Sequence, residues 1–166
     1  MAATVEIHEM SALATGVDKT GSTVRFKDAD NATLDTLNVL IIPAAGSIYS
    51  YSKMLRPYVE DAPTVQITNL RWYVDAACGW DAGCTAQATN CGVTWAANIK
   101  TAIAGSAALW TYVVAAPLDG DATDTGPFTV TDTYSGDLIR LQVTVASTAL
   151  QGIQAAETLT LAFDEV

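Results

Sequence analysis

The chain has 166 residues, eight Lys and Arg against eighteen Asp and Glu, and a formal net charge of −10. That length suits a single domain, 1–166, with one continuous core. The acidic balance without clustered positive charge excludes a nucleic-acid groove and an anionic membrane patch, and no apolar run approaches the roughly twenty residues of a membrane-spanning helix.

The amino terminus lacks a basic stretch followed by an apolar one, so no export signal is expected. Alternation begins at once and predicts a first strand over Thr4–Glu9, with His8 facing solvent. Further strands are predicted over Thr23–Lys27, Leu37–Ile42, Tyr49–Val59, Gln66–Asp75, Gly92–Thr101, Trp110–Val114, Phe128–Thr133, Asp137–Ser147 and Glu157–Asp164. Turn-forming clusters at Asp28–Asn31, Ala44–Ser47, Asp61–Pro63, Asp119–Pro127 and Ser135–Asp137 separate them. Pro57 cannot donate to a ladder, which assigns its segment to an edge or a bulge. The clearest alternation is in the last third, where Ile139, Leu141, Val143 and Val145 interleave with Arg140, Gln142 and Thr144. Thr94–Leu109 is ambiguous: Trp95, Ile99 and Ile103 recur at helical spacing, while Val93, Trp95, Ala97 and Ile99 also alternate. The sum is an all-β chain, an antiparallel sandwich of immunoglobulin-like or jelly-roll-like kind, with room for one short inserted helix.

The residues that announce a reaction are sparse. Cys78, Cys84 and Cys91 are separated by five and six residues, which does not fit the close pairs of structural zinc sites. A loop-stapling disulfide with a spare thiol, or three reduced thiols, are the alternatives. Asp28-Ala-Asp30-Asn31 and Asp119-Gly-Asp121-Ala-Thr-Asp124 place oxygens on alternate turn positions, as calcium loops do, but no closing glutamate follows the second. Such residues also favour turns by bonding their own backbone. The sequence singles out no catalytic residue, cofactor or metal, and no enzyme is expected. Aromatic residues are more informative. Parity predicts Leu70, Trp72 and Val74 on the core face of one strand with Arg71 and Tyr73 opposite, and puts Tyr49, Tyr51 and Lys53 together on the strand before. Tyr49, Tyr51, Lys53, Arg71 and Tyr73 are therefore the candidate partner interface, since Tyr and Arg are enriched at such surfaces. Trp80 and Trp110 are candidate stacking platforms for a glycan, with Trp80 equally suited to anchor its loop in the core.

Five segments carry a family resemblance: Val24–Asn31, Ile42–Ser47, Tyr49–Lys53, Ala62–Arg71, and Val145–Thr148 with Glu157–Thr160. Together they resemble virion structural proteins of tailed bacteriophages. The resemblance spans Val24 to Asp164 and rests on strand and turn sequences; the three cysteines depart from it. It implies a protein made in many copies that decorates or cements the capsid by binding the assembled major capsid protein, as a trimer or another homo-oligomer. A neck or tail component, or a carbohydrate-binding sandwich for host attachment, are the alternatives it leaves open.

Overall fold

The structure is a computed structural model that describes residues 2–31, 33, 37–61, 66–75 and 77–166. These form β1 (Thr4–Ala12), β2 (Thr15–Asp18), β3 (Ser47–Tyr49), β4 (Lys53–Asp61), β5 (Ile67–Val74), β6 (Cys84–Asn90), β7 (Ala107–Ala108), β8 (Leu118–Asp119), β9 (Thr133–Tyr134), β10 (Ile139–Ala146) and β11 (Leu159–Glu165), with a 3₁₀ turn at Leu109–Thr111. The larger sheet runs β2-β1-β4-β10-β6-β7, with β3 also on β10 and β9 also on β4; the smaller runs β11-β5-β8. All named pairings are antiparallel. The expected all-β, sandwich-like architecture is what forms.

Two-residue alternation explains the shared core. Ile139, Leu141, Val143 and Val145 on β10, Leu55 on β4, and Cys84, Ala86 and Ala88 on β6 meet Trp72 and Val74 of β5 from the smaller sheet. The small side chains of β6 share this layer with the Trp72 indole, a large-against-small arrangement that lets facing sheets interdigitate. Leu70, Trp72 and Val74 are all buried, as parity requires. A three-stranded sheet cannot cover an eight-stranded one. The remaining inner surface is covered by two segments, around 23–31 and 37–42, whose Val24, Phe26, Leu40 and Ile42 pack on the same core. Thr23–Lys27 and Leu37–Ile42 are thus covering segments and not the paired strands expected of them.

Beneath that cover lies a buried ion cluster. The Lys53 ammonium donates to Glu9 Oε1 at 2.8 Å and to the Asn31 carbonyl at 2.6 Å, and Lys19 lies 3.8 Å from the other oxygen of Glu9. Register places both ends on the inner face, because Glu9 faces Leu55 and Lys53 faces Leu141.

Other departures from the sequence reading have local causes. The β1–β2 hairpin turns at Leu13-Ala14, which offers no glycine, asparagine or proline to announce it. The expected strand Tyr49–Val59 is interrupted because Ser50 and Ser52 bond neighbouring chain: Val143 N donates to Ser50 Oγ at 3.0 Å and Ile99 N to Ser52 Oγ at 3.0 Å. Pro57 sits inside the sheet, opposite Ile7 of β1. Its carbonyl accepts from Ser135 N at 3.1 Å, so its missing donor faces the short link between β9 and β10, where no ladder partner is required.

Gly92–Thr101 is neither strand nor helix, and the strand forms instead at Cys84–Asn90, within the stretch read as a loop. Residues 92–106 run as an irregular strap across the outer face of the larger sheet. Gln142, fully buried, holds it: the amide nitrogen lies 2.9 Å from Ser50 O, 3.0 Å from Thr101 O and 3.2 Å from Ile99 O, while its oxygen accepts from Ile103 N at 3.2 Å. Trp110–Val114 supplies only the 3₁₀ turn and a bridge from Val113 to Ala116, and Phe128–Thr133 reduces to a bridge from Phe128 to Ile67 followed by β9. The turn Asp61–Pro63 and the start of Ala62–Arg71 lie partly outside the described residues.

Candidate functional site

The five residues expected to form one partner surface are divided between the two sheets. Arg71 and Tyr73 lie on β5 of the smaller sheet, where the Arg71 guanidinium donates to Asp164 Oδ1 at 2.6 Å across the strand pair. Tyr49 pairs with Thr144 on the larger sheet and borders a shallow outer cavity of about 260 Å³, lined also by Thr85, Gln87, Ser106 and Gln142. Tyr51 lies in the interruption between β3 and β4, and its backbone N–H donates to Lys27 O. Lys53 is only 1% exposed, held by Glu9, and is not a surface residue. Strand parity put Tyr49 and Lys53 on one face; the serine interruption removes that relation.

A different surface is strongly apolar. Leu37, Val39 and Ile41 are 67%, 61% and 73% exposed, while Leu40 and Ile42 of the same stretch pack on the core. From Val39 to Ile42 the side chains alternate between water and the core, whereas Asn38, exposed and at a φ of 55°, breaks the pattern after Leu37. No strand among the described residues pairs with it. Neighbouring large aliphatic side chains held out in water form the kind of apolar surface that contacts with another chain bury.

The other candidates resolve as structural elements. All three cysteines are unpaired: Cys78 is exposed, Cys84 faces the core on β6 and Cys91 packs near Met10, Met54 and Leu138. Burial pushes the Cys84 and Cys91 thiols up, away from the reactive thiolate. In the Asp119–Asp124 loop the carboxylates accept from backbone amides, Asp119 from within the loop and Asp121 and Asp124 from β5 and the link after β9. Asp121 accepts from Leu70 N at 3.2 Å and Asp124 from Gly136 N at 3.0 Å. Asp137, fully buried, accepts from Thr123 N, Asp124 N and Asn90 Nδ2, each at 2.9 Å. Burial, followed by its hydrogen bond with Asp119, raises the Asp121 carboxyl above the usual range. In the Asp28–Asn31 turn, Asp28 pairs with Lys100 and Asp30 accepts from Asn98 at 2.7 Å. Trp80 and Trp110 pack edge-to-face with centroids 5.0 Å apart against the core, and Trp80 Nε1 donates to Ala155 O at 2.8 Å. Trp80 is the loop anchor that its setting allowed.

One cluster was missed by sequence reading. His8 is 9% exposed and not solvent-facing: its ring stacks on Tyr58 with centroids 4.6 Å apart and planes 14° apart, and meets Tyr134 edge-on. Its Nδ1 lies 3.1 Å from the Tyr134 hydroxyl and its Nε2 2.7 Å from Glu6 Oε2. The hairpin register sets Asp18 directly across from His8. Hydrogen bonds from the Thr20 backbone and hydroxyl hold the Asp18 carboxyl below the usual range. Burial raises the Tyr58 and Tyr134 hydroxyls, with Asp132 adding to the effect at Tyr58. The only sequence signal for this cluster was the alternation of Glu6 with His8, because the second strand of the hairpin and the covering residue Tyr134 were both unannounced. No helix among the described residues is long and apolar enough to cross a membrane. Comparison with protein-family profiles, with curated proteins and with solved structures finds no match.

Proposed function

We propose that this chain is a non-enzymatic structural protein of a phage virion, a decoration or cement protein that binds the assembled major capsid lattice. The sequence resemblance motivates the reading, and the outward row Leu37, Val39 and Ile41 is the observation that carries it. Three large aliphatic side chains exposed on one covering segment offer a neighbouring capsid subunit apolar surface to bury. Burying them recovers about 1.5–3 kcal/mol per side chain before the cost of association. A protein that binds only the assembled lattice stabilises it by mass action, and a symmetric junction favours a homo-oligomer such as a trimer.

The test is co-sedimentation with purified heads. Wild-type protein is expected at fixed stoichiometry on heads, and a Val39→Glu, Ile41→Glu double variant, exposed at both positions, is expected to keep its circular dichroism spectrum and lose at least tenfold in occupancy. Recovery only with tails or the portal vertex assigns the chain to the neck or tail instead. Undiminished head occupancy of the double variant rejects the aliphatic row as the attachment surface. The parallel pair Arg71→Ala and Tyr73→Ala then tests the smaller sheet.

A further inference from the structure

The geometry points to a binding site for one divalent transition-metal ion of the zinc class on the β1–β2 hairpin, held by Glu6, His8 and Asp18. Alternation along β1 puts Glu6 and His8 on one face, and cross-strand register brings Asp18 to the same face. One ligand atom from each lies within 4.8 Å of the others. Zinc-class ions hold nitrogen and oxygen ligands at about 2.0–2.2 Å, which sets tetrahedral ligand atoms about 3.4 Å apart, so small side-chain rotations suffice. One imidazole with two carboxylates suits such an ion, whereas calcium takes six to eight oxygens.

The histidine is prepared for this role. Stacking on Tyr58 and the edge contact with Tyr134 fix its plane, and the Tyr134 hydroxyl at Nδ1 leaves Nε2 aimed at the carboxylate of Glu6. An outer partner on the second ring nitrogen is what sets tautomer and orientation in ligating histidines. The ion would be held through the Nε2 lone pair, so binding displaces any proton on that nitrogen. The hydroxyl reaches the ring because β2 carries glycine at that point. A Cβ on Gly16 would stand 2.9 Å from Tyr134 Oη, 2.9 Å from His8 Cβ and 2.8 Å from Met10 Sδ. Asp18 is oriented in turn by Thr20 N, which donates to its Oδ1 at 2.7 Å. Asp18 is exposed, so the ion enters from solvent and keeps open positions for water.

Calorimetric titration of the full chain with zinc chloride tests the site. One saturable event is expected, weakened at least tenfold by His8→Gln and by Asp18→Asn, about tenfold by Tyr134→Phe, and not at all by Cys78→Ser. Asp18 is on the surface, so its variant keeps the test meaningful even where His8→Gln fails to fold. Cobalt(II) in place of zinc is expected to give ligand-field bands without thiolate charge transfer. Absence of saturable binding at millimolar zinc overturns the site. So does binding that survives Asp18→Asn, or that is lost in Cys78→Ser, which would make it thiolate binding.

Discussion

Replacing Gln142 by Met tests whether one buried amide fastens the strap 92–106 to the larger sheet. The side chains are similar in length and volume, so the change removes hydrogen bonds and leaves little cavity. Ile99 O keeps its bond from Ser52 N at 2.8 Å. Ser50 O, Thr101 O and Ile103 N lose the Gln142 amide. A buried polar group left unpaired costs about 1–3 kcal/mol. Lifting of the strap lets water reach some of the three, which keeps the total near the low end, about 3 kcal/mol. For a chain of this length that is a fall in Tm of about 6–12 °C. Urea denaturation gives the free energy, and hydrogen exchange read by mass spectrometry gives its location. Amides of 92–106 are expected to lose protection while β6 and β10 keep theirs. A loss below about 1 kcal/mol, or protection lost evenly across both sheets, refutes the assignment of the strap to this side chain.

Lys53→Met leaves Glu9 buried with Lys19 alone at 3.8 Å, and removal of one partner from a buried pair costs about 3–5 kcal/mol; an unchanged urea midpoint contradicts the pairing. Hydrogen bonds from Asn69 and Arg71 lower the Asp164 carboxyl in the folded chain. Its contribution is therefore full above the unfolded carboxylate pKa, about 4, and disappears as pH falls through the lowered folded value. The stability gap between wild type and Arg71→Met is expected to close on acidification, and a gap that persists in strong acid counts against the pair. Asp121 runs the other way. Its raised folded pKa favours the protonated form, so its carboxylate costs stability increasingly as pH rises through that value. Asp121→Asn, able to keep the acceptor for Leu70 N, is expected to melt higher than wild type at neutral pH, and a lower Tm refutes the reading.

What was legible in the sequence was legible for a physical reason. β5, β10 and β11 alternate large apolar residues with polar ones, and their bounds and faces follow from that contrast. β6 buries Cys84, Ala86 and Ala88, residues too small to stand out against Thr85, Gln87 and Thr89, so the same period was invisible. The converse misled at Val93–Ile99, where alternation is real but the backbone is fastened by side-chain amides and hydroxyls to a sheet it never joins. The His8 cluster needed three facts absent from local pattern: an unsignalled hairpin, the register that sets Asp18 across from His8, and Tyr134 arriving from a distant strand.

The ion pair between Glu9 and Lys53 has a consequence for how β1 and β4 choose their alignment. A slip of one residue turns every inward side chain outward, and burial alone forbids it. A slip of two preserves inside and outside, so greasy contacts scarcely distinguish it from the native match. The opposite charges notice one direction of it: with Glu9 facing Leu55, a slip that carries Glu9 toward Pro57 adds two steps, about 7 Å, between a carboxylate and an ammonium in a dry interior. Hydrophobicity thus rules out the odd misalignments, and one lysine with one glutamate rules out the even one that draws them apart.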